Sequence, residues 1–188
     1  MQNPLQRISP VQRKTVFVTF LGLTILLMII FAWTGAPLYT SVAPQGVISL
    51  QLAGSVEKAQ QIIASWDKTA RLMAAFGLGL DYLFMVVYPL TIGLACIWAA
   101  DILRFHHWLL VALGAWFAWG IWLAALLDAV ENIALTILLI VAVVAPWPQV
   151  AHWCAIVKFS LIFIGLVYGS YGLAVWIVGK LTMPRPGS

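Results

Sequence analysis

Apolar residues fill this chain in four long runs, 15–33, 72–100, 108–144 and 151–179, and polar residues collect in the stretches between them. A helix needs about 20 apolar residues to cross the hydrocarbon of a bilayer, so every run is long enough to span. Lipid offers backbone amides no partner, which makes each run a predicted helix. Turn-forming residues punctuate the ends: Thr34-Gly35-Ala36-Pro37, the polar stretch 101–107, and Ala145-Pro146-Trp147-Pro148. The pattern predicts an all-α integral membrane protein, one domain over 1–188, with four transmembrane helices in an antiparallel bundle. In this reading 1–14 is a cytoplasmic N-terminus, 34–71 an outer loop, 101–107 a cytoplasmic turn and 180–188 a cytoplasmic tail. The first run is too long for the apolar core of a cleaved secretory signal, and is expected to stay as an anchor and first span.

Two segments complicate the simple pattern. The third run holds 37 residues; as a straight helix it would measure about 55 Å, so it is expected to tilt, protrude or break. A break near Asp128 would give five spans and carry Lys180 and Arg185 to the outer side. Within the outer loop, Leu52, Val56, Ala59, Ile63 and Trp66 recur at helical spacing opposite Glu57, Lys58, Gln60 and Gln61. That predicts a short amphipathic helix near 55–66, capped by Ser55, which lies on the membrane surface or closes the bundle like a lid, a reading favoured over a helix that docks a partner.

Charge sets the orientation. Arg7, Arg13, Lys14, Arg104, Lys180 and Arg185 fall on the side assigned to the cytoplasm, against Lys58, Lys68 and Arg71 in the outer loop. The positive-inside rule therefore puts both termini in the cytoplasm, with a bacterial inner membrane as the expected location. Trp33, Trp66, Trp147 and Trp153 at the outer ends, and Trp98, Trp108 and Trp176 at the inner ends, read as aromatic belts. Composition agrees, at 63% hydrophobic and 9% charged residues with a mean hydropathy of +1.01. The net charge of +4 lies at the ends of apolar runs, so it carries no expectation of nucleic-acid binding.

The candidate chemistry is intramembrane and acidic. On the third run Gly120, Ala124, Asp128 and Asn132 repeat every four residues and Glu131 joins them, giving one face of small and polar side chains. Carboxyls turned to acyl chains cost about 2.5–3.5 kcal/mol each, so this face should point into the bundle. The second run brings Asp81 and Tyr88 on one side, with Pro89 beside them. The fourth carries Lys158, Ile162, Gly165, Gly169 and Gly172, a glycine ridge suited to close helix contact. Reversing the second and third runs near 105 sets Asp128 opposite 80–83; reversing the third and fourth near 148 sets it opposite Tyr168, with Lys158 two turns nearer the outside. The predicted site is Asp81, Asp128, Glu131, Asn132, Tyr88 and Tyr168, with Lys158 above it.

Three acids against one lysine call for a proton, a cation or a cationic head group. The leading expectation is binding of a cation, proton or polar lipid head group for transport or sensing. Two others stand beside it: an accessory subunit or homo-oligomer in which the polar stripe and glycine ridge are glue, and an intramembrane lipid-modifying enzyme, the less favoured of the three. No cofactor or metal is expected. His106, His107 and His152 fall on opposite sides, no metalloprotease or nucleotide-binding motif occurs, and Cys96 and Cys154 lack paired spacing.

Overall fold

The computed structural model describes residue 5 and residues 8–182. Arg7, Arg185 and most of the predicted tail lie outside them. Among the described residues every element is helical, and four helices are long and apolar enough to cross a membrane. The elements are α1 (Pro10–Gly35), α2 (Val47–Gln51), α3 (Val56–Ser65), α4 (Lys68–Phe105), α5 (Leu113–Thr136) and α6 (Trp147–Thr182). A 3-10 turn, Ala36–Leu38, follows α1, and a π-helical turn, Ile137–Val141, extends α5.

Local chemistry explains the helix starts. Ser9 caps α1, with Pro10 in the first turn where a missing N–H costs nothing. Asp67 caps α4 by accepting from Ala70 N at 2.7 Å, and Ser55 caps α3 by accepting from Lys58 N at 3.2 Å. Glu57 follows in the first turn of α3, where its own backbone N–H and the Ser55 hydroxyl hold its carboxyl below the usual range. The long third run is not broken at Asp128. Helix α5 passes through that residue, and the irregular backbone sits instead at 106–112, where His107 and Leu110 take positive φ of 56° and 71°.

Small residues let the long helices approach one another. Gly114 of α5 sits against Ala100 and the Cys96 carbonyl of α4, Gly165 of α6 against Ile121 of α5, and Gly172 of α6 against Ala99 of α4. The predicted glycine ridge is thus used inside the chain. A side chain at 172 would meet Ala99 backbone atoms, which cannot swing aside. Gly172→Leu is expected to destabilise the fold by about 1–3 kcal/mol, as overpacking does, read from thermal unfolding in detergent. Helix α1 is different: it lies along α4 and buries only 6% of its apolar stretch, the rest being half-buried or exposed. It is held by Thr24 Oγ1 against Thr91 Oγ1 at 2.9 Å, by Phe31 edge-on to Phe84, and by Arg13 on Asp101 at 2.8 Å.

The buried apolar residues form two cores. One, at the cap end, joins the 36–67 segment to the near ends of α4, α5 and α6 through Leu38, Leu50, Ile62, Trp66, Leu78 and Leu135. The other joins Tyr88, Leu94, Ile97, Leu103, Ile121 and Tyr168 further along the same helices. Trp66 belongs to the first core and not to an interfacial belt: it is 2% exposed and its indole N–H donates to the Leu38 carbonyl at 2.9 Å.

Candidate functional site

A polar layer separates the two cores, and its centre is an ion triad. Lys158 Nζ stands 2.7 Å from Asp128 Oδ1 and 2.7 Å from Glu131 Oε2. All three residues are at most 4% exposed. The spacing of Asp128 and Glu131, three residues apart on α5, presents both carboxylates to one side, where α6 brings the ammonium between them. Asn132, on the next position, donates from Nδ2 to the Leu78 carbonyl of α4 at 2.8 Å and ties the layer to the third helix.

The triad sits beside a cavity of about 260 Å³ that is lined by α1, α2, α4, α5 and α6. Asp81, Tyr88, Asp128 and Lys158 supply its charged and polar floor, with Gln51 and Thr34 on the walls. Phe31, Leu38, Met73, Phe84, Phe159 and Ile162 make the rest apolar. Gly77, one turn before Asp81, leaves open space where a side chain would intrude. On the rim, Ile48 is 40% and Phe159 38% exposed.

Asp81 is set apart from the other acids. It closes no hydrogen bond or ion pair among the described residues, and feels Asp128, Lys158 and Glu131 only through space. The single lysine is already shared by two carboxylates, so the layer holds three acids and one cation. Further buried polar atoms lack a hydrogen bond among the described residues: the Tyr88 hydroxyl, which lies beside the Asp128 carboxylate without closing one, Gln51 Oε1, Asn132 Oδ1, Trp122 Nε1 and Glu131 Oε1. Of these, Tyr88 and Gln51 line the cavity.

The structure therefore brings together Asp81, Asp128, Glu131, Asn132, Tyr88 and Lys158, and leaves Tyr168 out. Lys158 is not above the acids but level with them. Tyr168 lies nearer the far end, where its hydroxyl donates to the Leu110 carbonyl at 3.1 Å and its ring meets Phe117. The cause is the reversal point between α5 and α6. Pro146 and Pro148 do not centre the turn; Trp147 and Pro148 already belong to the first turn of α6, and the chain reverses over 142–146. Moving the centre from 148 to about 143 exchanges Tyr168 for Lys158 opposite Asp128, ten residues or about 15 Å of helix.

Helix α2, which contributes Val47, Ile48 and Gln51 to the cavity, was not predicted. The roof over the site is α2, while the predicted amphipathic helix, α3, packs in the cap core. Among the described residues no group of three His, Cys, Asp or Glu side chains is placed to hold a metal ion. His152 is half-buried at the cap, its Nδ1 3.2 Å from the Leu52 carbonyl, and His106 lies at the other end of α4 against Gly179.

Fold and site together define an all-helical chain with four membrane-length helices around a buried acidic layer. Comparison with protein-family models, with curated proteins and with solved structures gives no match.

Proposed function

We propose that this chain is a polytopic membrane protein, an antiparallel four-helix bundle of the bacterial inner membrane. In this reading its acidic pocket binds a cation, a proton or a polar head group for transport or sensing. The membrane assignment rests on four long helices whose outward side chains are apolar, among them Ile25, Met28 and Ile29 on α1 and Phe163, Leu166 and Val167 on α6. The orientation is supported by the gathering of Arg13, Arg104 and Lys180 at one end. Arg13 and Arg104 both pair with Asp101, and Lys180 lies over Trp176 in a groove that Asp101 and His106 also line. That end is the cytoplasmic one by the positive-inside rule, with both termini on it.

One observation carries the function: Asp81 faces a cavity and forms no ion pair among the described residues, while the lysine within reach is held by two other carboxylates. A carboxylate in that setting gains from a bound positive charge or proton, whereas a purely structural clamp would pair it off. The test uses the full chain in detergent, titrated with sodium, potassium, ethanolamine or octylamine while its melting temperature is followed. Saturable stabilisation of the wild type by at least one of these is expected, and its loss in both Asp81→Asn and Gly77→Leu. Gly77→Leu fills open space without touching a carboxyl, so it should block the pocket while melting at or above the wild-type temperature. No response to any of the four ligands would overturn the proposal, as would responses that both variants retain.

A further inference from the structure

Resting on that reading of the pocket, we propose that its ligand is an amphiphile with a primary ammonium head, which enters with its apolar body against the aromatic walls. Four properties of the cavity lead there. Its unpartnered polar groups are acceptors or can act as such: the Asp81 carboxylate, Gln51 Oε1 and the Tyr88 oxygen. Tyr88 is 2% exposed, so its hydroxyl has no water-facing alternative. A primary ammonium brings three N–H donors and one positive charge, which matches both the unpaired carboxylate and the unmet acceptors.

The second property is apolar room. An inorganic cation needs a cage of several oxygens close about it, and among the described residues no three His, Cys, Asp or Glu side chains are placed to hold a metal ion. It would also leave most of the 260 Å³ unused, since a water takes about 30 Å³ of liquid volume. An alkyl body fills that space against Phe31, Phe84 and Phe159. Third, the cation already present is neutralised twice over, so Lys158 offers nothing to an anionic head such as a phosphate. Fourth, the rim is apolar at Ile48 and Phe159, which admits a chain from a hydrocarbon phase.

The aromatic walls by themselves would also suit a quaternary ammonium, which aromatic rings attract. Such a head donates no hydrogen bond, and would leave the Tyr88 hydroxyl and Gln51 Oε1 buried without partners. The primary amine is the better match.

The experiment compares octylamine, octyltrimethylammonium and octanol, below their aggregation concentrations, as ligands of the full chain in maltoside detergent. Binding is read by tryptophan fluorescence and by melting temperature. Octylamine is expected to bind at least about tenfold more tightly than either other compound, the range that charge-assisted hydrogen bonds give. In Asp81→Asn the preference for the amine over octanol should vanish, and Gly77→Leu should bind none of the three. A parallel arm places the protein in nanodiscs of mixed phosphatidylethanolamine and phosphatidylcholine and identifies the lipid retained on release by native mass spectrometry. Retention of the ethanolamine lipid assigns the ammonium to a membrane lipid. Selectivity for octylamine without it assigns a free amine, and both support the proposed class. Equal binding of amine, trimethylammonium and alcohol overturns the head-group assignment. Stabilisation by sodium or potassium without octylamine binding leaves the pocket a ligand site but removes the amphiphile. Silence towards every ligand removes both readings.

Discussion

Replacing Lys158 by methionine is expected to cost the folded protein about 3–5 kcal/mol, because it strands two buried carboxylates. The lysine side chain is 5% exposed and its ammonium is 2.7 Å from both Asp128 and Glu131. Methionine keeps the length and apolar bulk of the stem, so the loss reports charge and not volume. Removing the charges together should behave differently: the triple variant Lys158→Met, Asp128→Asn, Glu131→Gln leaves neutral groups of similar shape and should recover most of the stability. Buried ion groups replaced as a set are often neutral in cost, whereas one removed alone is not. Unfolding by denaturant in mixed micelles measures both variants. A Lys158→Met protein as stable as the wild type would mean that the ammonium does not compensate the two acids.

The second large effect is expected at the cap. Trp66→Ala should cost about 3–5 kcal/mol, the range for deleting a buried large aromatic side chain. Trp66 fills the cap core and its N–H satisfies the Leu38 carbonyl, tying the turn after α1 to the start of α4. Its own carbonyl accepts from Arg71 Nε at 3.1 Å. Trp66→Phe, which keeps most of the volume and loses the hydrogen bond, should cost about 1 kcal/mol. Limited proteolysis distinguishes the two, with faster cleavage in 36–67 for the alanine variant. Leu38 also lines the cavity, so ligand affinity should fall with Trp66→Ala although no carboxyl has changed. Cleavage at the wild-type rate would mean that the cap does not depend on this indole.

Sequence made some of this legible and hid the rest, for reasons that can be named. Apolar run length sufficed for the four long helices, because a helix satisfies the backbone of a long apolar run within the run itself. Spacing on α5 put Asp128, Glu131 and Asn132 on one face, since a helix fixes that geometry locally. Which residues of α6 meet them depended on where the chain reverses. Two prolines near 147 suggested a turn centre, yet proline is as well suited to the first turn of a helix, and that ambiguity exchanged Tyr168 for Lys158. Helix α2 has too few residues to show a period, and the burial of Trp66 depends on Leu38, which is 28 residues distant. The space beside Asp81 left a fainter trace in Gly77, which means room only once a neighbouring helix is known to pass there.

Helix α1 contributes Phe31, Thr34 and Gly35 to the cavity wall, yet rests along α4 instead of wedging among α5 and α6. The triad, Asn132 and Asp81 all belong to α4, α5 and α6, so the charged floor keeps its integrity whatever the first helix does. A chain begun after residue 35 would therefore lose the Arg13–Asp101 pair, keep every residue of the triad, and widen the opening of the cavity on its α1 side. On the proposed reading of the pocket, recognising a ligand and retaining it would fall to different parts of the same polypeptide.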